Sequence, residues 1–189
     1  VHHDVARAAL QAGKHLLAQK PLAVSVRAGR MMVDMAQQQG VTLGVFENVR
    51  QMELVRAQHW AVAHGIIGTP QFAVMGLLGG LWSPSRIVAE TPWRHQKLRA
   101  GGGGSIDIGV HQMDWMRYVM GEIRSVSAMT EIFVPTRTHT NADGSVMSVA
   151  ADVDDTYMAT LRFQNNAMGQ LWWSWAGLAD AVTITGAPA

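Results

Sequence analysis

The sequence predicts two consecutive architectures: the trailing part of an α/β unit, then a mostly antiparallel open-sheet α+β unit with a helix on one face. Three observations predict it. Helix-like and strand-like segments alternate up to Arg50, strand-like segments crowd together after Gly121, and a single Gly-led helix lies just before them. The composition, 48% apolar and 15% charged, is that of a globular chain and excludes intrinsic disorder, collagen and coiled coil.

Each element has a local reason. Val5 to Ala12 reads as the end of an amphipathic helix closed by Gly13, and His15 to Ala18 as a short buried strand. Ser25 can cap a helix through Gln39, with Ala28, Met31, Met32, Met35 and Ala36 on its apolar side and Gly40 as terminator. Val41 to Phe46 is the next strand, and Met52 to His64 a further helix ending at Gly65. Two strands separated by such a helix predict a right-handed crossover between parallel strands.

After Gln71 to Leu77, a predicted strand, a Gly- and Pro-rich loop runs to Gly104. A helix from Ser105 to Met120 follows, stopped by Gly121. Strands are expected at Ile123–Val134, Asp155–Phe163, Ala167–Trp175 and Ala181–Thr185, and Asn165-Asn166 joins the middle two at hairpin spacing. Thr136 to Ser148 is polar and is expected to be a mobile loop. Alternation along the last long strand puts Trp173 and Trp175 on one face and Trp172 on the other, so both faces need cover.

A length of 189 residues suits one domain, or one domain plus a piece of another. The formal charge is +1 with no basic stripe, which argues against a nucleic-acid partner. The longest apolar stretch, Phe72 to Trp82, is broken by three glycines and falls far short of the ~20 residues of a membrane-spanning helix. With no cysteine, disulfide scaffolds, thiolate metal sites and cysteine nucleophiles are excluded, and a cytoplasmic location is expected. The chain opens Val1-His2-His3-Asp4 without a signal peptide and stops at Pro188-Ala189, and both ends are expected to be cuts.

Candidate chemistry concentrates in two places. Gln19-Lys20-Pro21 follows the first strand directly, and Pro21 biases Lys20 towards an extended backbone at the carboxyl end of that strand, where ligands bind in open α/β sheets. A lysine there can hold a substrate hydroxyl; the alternative is an ordinary solvated lysine. Asp107 and His111 lie four apart and share a helix face, which Asp114 continues less well. A histidine one turn from a carboxylate suits general acid/base work, although a wet surface pair has the same spacing. A metal would want further convergent ligands, and His2-His3-Asp4 has no evident link to His111, so no metal is expected. Gly101 to Gly104 either approaches a ligand or merely leads into the helix. It is no phosphate loop, and no G-x-G-x-x-G occurs anywhere in the chain.

In this order the pieces resemble the glucose-fructose oxidoreductase, inositol dehydrogenase and MocA family of NAD(P)-dependent enzymes. The matching residues run from Ala9 through Gln19-Lys20-Pro21 to Ala23, then Glu47-Asn48-Val49-Arg50, Gly65-Ile66-Ile67-Gly68 and Trp93-Arg94. They continue from Gly102 through Asp107 and His111 to Asp114, and close with Asp154-Asp155-Thr156 and Ser174-Trp175-Ala176-Gly177. The resemblance implies the C-terminal remnant of a Rossmann domain over residues 1–50 and a substrate and oligomerisation domain over 51–189. It implies hydride transfer between NAD or NADP and a secondary alcohol or ketone of a sugar, polyol or related compound. Lys20, Asp107 and His111 become the catalytic set, with His111 as the base and Lys20 and Asp107 positioning the substrate and tuning it. Gln19, Lys20, Trp93 and Arg94 become cofactor-facing. A homo-oligomer, dimer or tetramer, formed through the open sheet is implied as well.

Two departures accompany the resemblance. Gln19 stands where the family usually has Glu, and the half of the Rossmann domain that carries the pyrophosphate fingerprint is not among these residues. Two other readings therefore stay open: a member that has lost catalysis and acts as a ligand sensor, or an oligomerisation module.

Overall fold

A computed structural model of the chain describes residues 2–78 and 91–176. The predicted strand at Ala181–Thr185 and residues 79–90 of the loop after Leu78 lie outside the described residues. Helix α1 (His2–Gln11) leads to strand β1 (Leu16–Gln19), helix α2 (Val26–Gln38) and strand β2 (Leu43–Phe46). The Ser25 hydroxyl accepts the Ala28 N–H at 3.2 Å, satisfying one of the unpaired donors at the start of α2 as predicted. β1 and β2 pair in parallel, from Leu16↔Leu43 to Gln19↔Phe46.

Ala6, Leu10, Met32 and Ala36 form the core of this unit, with Leu16 and Leu43 packed against them. Strand alternation turns Leu17 to the other face, where it is 67% exposed, so β1 is covered on one side and not buried on both among the described residues. Met31, expected on the apolar side of α2, also points largely outward.

A 3₁₀ turn at Val49–Gln51 and helix α3 (Glu53–Ala63) precede β3 (Phe72–Leu78). A 3₁₀ turn at Pro92–His95 then leads into the short helices α4 (Lys97–Ala100) and α5 (Gly104–Asp107) and the longer α6 (Gly109–Met120). Strands β4 (Ile123–Glu131), β5 (Thr136–Thr140), β6 (Val146–Ala150), β7 (Thr156–Phe163) and β8 (Met168–Ser174) complete the described chain. The main sheet has the order β3-β8-β7-β4. β4, β7 and β8 are antiparallel neighbours, and β3 joins β8 in parallel. Asn166 closes the β7–β8 turn at φ 67°, the left-handed conformation that asparagine tolerates.

Period-2 alternation gives the sheet one buried face. Ala159, Leu161, Phe163 and Leu171 pack there against Met116 and Met120 of α6. Trp173 and Trp175 lie on the same face, edge to face with centroids 4.8 Å apart. Trp172 faces the other way, and its indole lies across Gly76, its partner on β3, where a Cβ would sit 1.8 Å from the ring.

The polar stretch from Thr136 to Ser148 is not the expected loop: β5 and β6 make a hairpin paired from Thr136↔Ala150 to Thr140↔Val146. One residue anchors it. Arg137 is fully buried and reaches His95, the Val153 carbonyl and Asp155. Burial pulls the Arg137 guanidinium below its usual value, against the opposing pull of Asp155. Asp155 in turn accepts the backbone N–H groups of Phe133 and Val134.

Candidate active site

Lys20 emerges from the end of β1 and crosses to the α+β unit. Its Nζ donates to the Asp107 carbonyl at 2.6 Å and to Asp107 Oδ1 at 2.8 Å. The other Asp107 oxygen, Oδ2, accepts from Arg94 of the Pro92–His95 turn. Arg94 also lies over the Trp93 ring, 4.9 Å from its centroid. Gln19 stays exposed, and its Oε1 accepts the Lys20 backbone N–H at 2.8 Å. Burial alone would raise the Asp107 carboxyl, but Lys20 and Arg94 outweigh it and hold the group below the usual carboxylate range.

The predicted Ser105–Met120 helix is two helices that meet at Ile108, next to the Asp107 carbonyl that Lys20 occupies. In an uninterrupted helix that carbonyl would accept the His111 N–H. Here it accepts Lys20, and the His111 N–H turns to the Ile108 carbonyl at 3.0 Å. The chain breaks at Ile108, between α5 and α6. The run Gly101 to Gly104 serves close packing at its second half. A Cβ at Gly103 would lie 1.8 Å from the Asp154 carbonyl oxygen, and one at Gly104 would lie 2.3 Å from the Trp173 ring. Asp154 caps this start, accepting from the Gly103 and Ser105 N–H groups and the Ser105 hydroxyl.

His111 does not pair with Asp107, as the four-residue spacing suggested. Its Nδ1 lies 2.5 Å from Glu47 Oε1, and the two side chains are 15% and 10% exposed. Asp107 is engaged by Lys20 and Arg94 instead. Asp114 is likewise engaged elsewhere, in a two-bond pair with Arg50 at 2.6 and 2.8 Å. That pair raises the Arg50 guanidinium above its usual value.

Lys20, Asp107 and Arg94 are thus brought into one cluster, with Gln19 and Trp93 on its edge and His111 a turn further along, in a separate pair. Reading the residues one by one assigned Glu47 no role. Besides its place in the family-like run Glu47-Asn48-Val49-Arg50, its signal is a spacing: Glu47 and Arg50 lie three apart, as do their partners His111 and Asp114. Among the described residues no group of three or more His, Asp or Glu is placed to hold a metal ion, and no helix is long and apolar enough to cross a membrane.

A β–α–β unit thus hands a lysine to the Asp- and His-bearing, Gly-led helical segment of an α+β unit. The match to known families is specific. The family described as the GFO/IDH/MocA C-terminal domain matches residues 55–186, and the oxidoreductase family with an NAD-binding Rossmann fold matches residues 1–47. This chain belongs to the GFO/IDH/MocA family.

Levoglucosan dehydrogenase of Pseudarthrobacter phenanthrenivorans is 29% identical over 90% of this chain and 46% of its own length. The 1,5-anhydro-D-fructose reductase of Ensifer adhaerens is 31% identical over 90% of the chain and 46% of its own. The myo-inositol 2-dehydrogenase of Thermotoga maritima is 30% identical over 89% of the chain and 45% of its own. A structure of levoglucosan dehydrogenase in complex with NADH and levoglucosan superposes with a TM-score of 0.80 at 28% identity, covering 95% of this chain and 46% of that one. The chain spans about half the length of the relatives it matches.

Proposed function

We propose that this chain is the catalytic portion of an NAD(P)-dependent oxidoreductase that interconverts a secondary alcohol and a ketone on a sugar, polyol or related compound. The observation that carries the reading is the Lys20–Asp107 contact. It joins residues 87 apart in sequence and sets a cationic cluster one helical turn from His111. The sugar and polyol names of the relatives support the substrate class. We further propose that the chain divides into residues 1–50 and 51–189. The outward sheet face, with Phe72, Val74 and Met168 about half exposed, would then be the subunit contact.

Two cations against one carboxylate suit the cofactor-facing and substrate-facing end of such a site, where negative charge develops on oxygen. Gln19, Lys20, Trp93 and Arg94 would hold the nicotinamide end. The pyrophosphate-binding glycine turn is not among these 189 residues. When bound, the nicotinamide supplies the acceptor or donor of the hydride.

Everything else falls to the chain. A lysine ammonium has three N–H donors, and Asp107 takes two of those of Lys20. No other described residue takes the third, which would be available to the substrate oxygen, where the positive charge favours the developing alkoxide. Arg94 and Asp107 fix the lysine's direction. His111 accepts the hydroxyl proton as the alcohol is oxidised and returns it when the ketone is reduced.

The test is His111→Asn in the full native polypeptide, assayed with NAD and NADP against a panel of sugars and polyols. Turnover should fall by ~10²–10⁴-fold, the usual worth of a general base, with the circular dichroism spectrum unchanged. A variant that keeps its turnover refutes the base role. Ligand binding without turnover in the unmodified protein would favour a sensor that has lost catalysis.

A further inference from the structure

We infer that Glu47 is the positioning residue for His111, holding its Nδ1–H so that Nε2 is the nitrogen that receives the substrate proton. The inference rests on the base role proposed above. An ionised carboxylate can only accept hydrogen bonds, so a neutral His111 ring 2.5 Å from Glu47 Oε1 must carry its proton on Nδ1. Nε2 is then left with its lone pair. With both side chains at least 85% buried, bulk water competes poorly for the contact.

The carboxylate is itself held in place. Glu47 Oε1 also accepts the Val49 N–H at 3.1 Å, which fixes the side chain against its own backbone. Three residues further on, Arg50 grips Asp114 through two hydrogen bonds, and Asp114 lies three residues beyond His111 on α6. Segment 47–50 and helix α6 are therefore clasped at two points about one helical turn apart. The Arg50 guanidinium also covers the Tyr118 ring, 4.7 Å from its centroid, which limits its freedom further. This clasp joins the α/β unit to the α+β unit, so the ring's orientation depends on both being in register.

Replacing Glu47 by Gln preserves size but lets the amide donate to Nδ1, which would move the proton to Nε2 and block the lone pair. The experiment is ¹⁵N NMR of the full native polypeptide labelled at histidine, at a pH where the ring is neutral, with the His111 signals assigned by their loss in His111→Asn. The unmodified protein should show protonated Nδ1 and bare Nε2, and Glu47→Gln should gain protonated Nε2. In kinetics, Glu47→Gln should lower kcat by ~10²-fold, the lower end of what a general base contributes, with KM little changed. Glu47→Ala should recover part of its turnover when formate is added to replace the missing carboxylate.

Protonated Nε2 in the unmodified protein, an undiminished kcat in Glu47→Gln, or no formate recovery in Glu47→Ala would each overturn the inference. If His111→Asn keeps its turnover, the base role falls. The tautomer measured by NMR still decides separately whether Glu47 holds the ring.

Discussion

Replacing Asp107 by Asn removes the one carboxylate that, among the described residues, pairs with both Lys20 and Arg94. The three side chains are 15%, 18% and 26% exposed for Lys20, Asp107 and Arg94, so solvent screens their interaction only in part. Hydrogen bonds to charged groups are worth about 1.5–3 kcal/mol each, and Asn keeps one acceptor oxygen of the two. The expected loss is therefore about 2–3 kcal/mol, near the cost of one charge-assisted bond plus residual repulsion between two cations. Because the folded-state carboxyl is held below its usual value, the stabilisation is fully present above the unfolded value near ~4 and is lost as pH falls through the folded one. Urea unfolding followed by tryptophan fluorescence, at steps from pH 7 to pH 3, measures this directly. The gap between the unmodified protein and Asp107→Asn should be flat from pH 7 to pH 5 and narrow below that. An absent gap at pH 7, or one that closes between pH 7 and pH 5, would show that the cluster is not held by an ionised Asp107.

Substitutions at two further positions test the frame around the site. Gly103→Ala would drive a methyl group into the Asp154 backbone and should cost at least the 1–3 kcal/mol typical of overpacking, seen as a lower midpoint in thermal unfolding. If the midpoint does not move, the Gly-rich entry is not packed as described. Arg137→Ala would leave the buried Asp155 side chain without its guanidinium partner, at a cost of about 3–5 kcal/mol. Arg137→Lys should recover little, because an ammonium cannot reach His95, Val153 and Asp155 at once, and a Lys variant as stable as the original in denaturant titration would contradict this.

Local chemistry was legible in the sequence wherever one segment held both partners. Ser25 caps α2 because the hydroxyl and the N–H it satisfies are three residues apart. Asn165-Asn166 turns the β7–β8 hairpin because the required backbone conformation belongs to those residues. The inward alternation of Tyr157, Ala159, Leu161 and Phe163 follows from strand period alone. The β5–β6 hairpin escaped because Thr136 to Thr140 alternates threonine with charged and aromatic polar residues, so period gave no apolar face. The face exists only because Arg137 finds Asp155 and His95 from other segments.

The same distinction governs the site. Lys20, Asp107 and His111 could be singled out by residue type and by family resemblance, but their partners could not. The spacing of Asp107 and His111 favoured a pair within one helix, and the tertiary structure divides them. Lys20, 87 residues away, takes Asp107, and His111 meets Glu47, 64 residues away. A hydrogen bond between distant segments has no period and no fixed spacing in sequence. It is decided by which groups remain unsatisfied when two packed units meet, and that is a property of the folded chain.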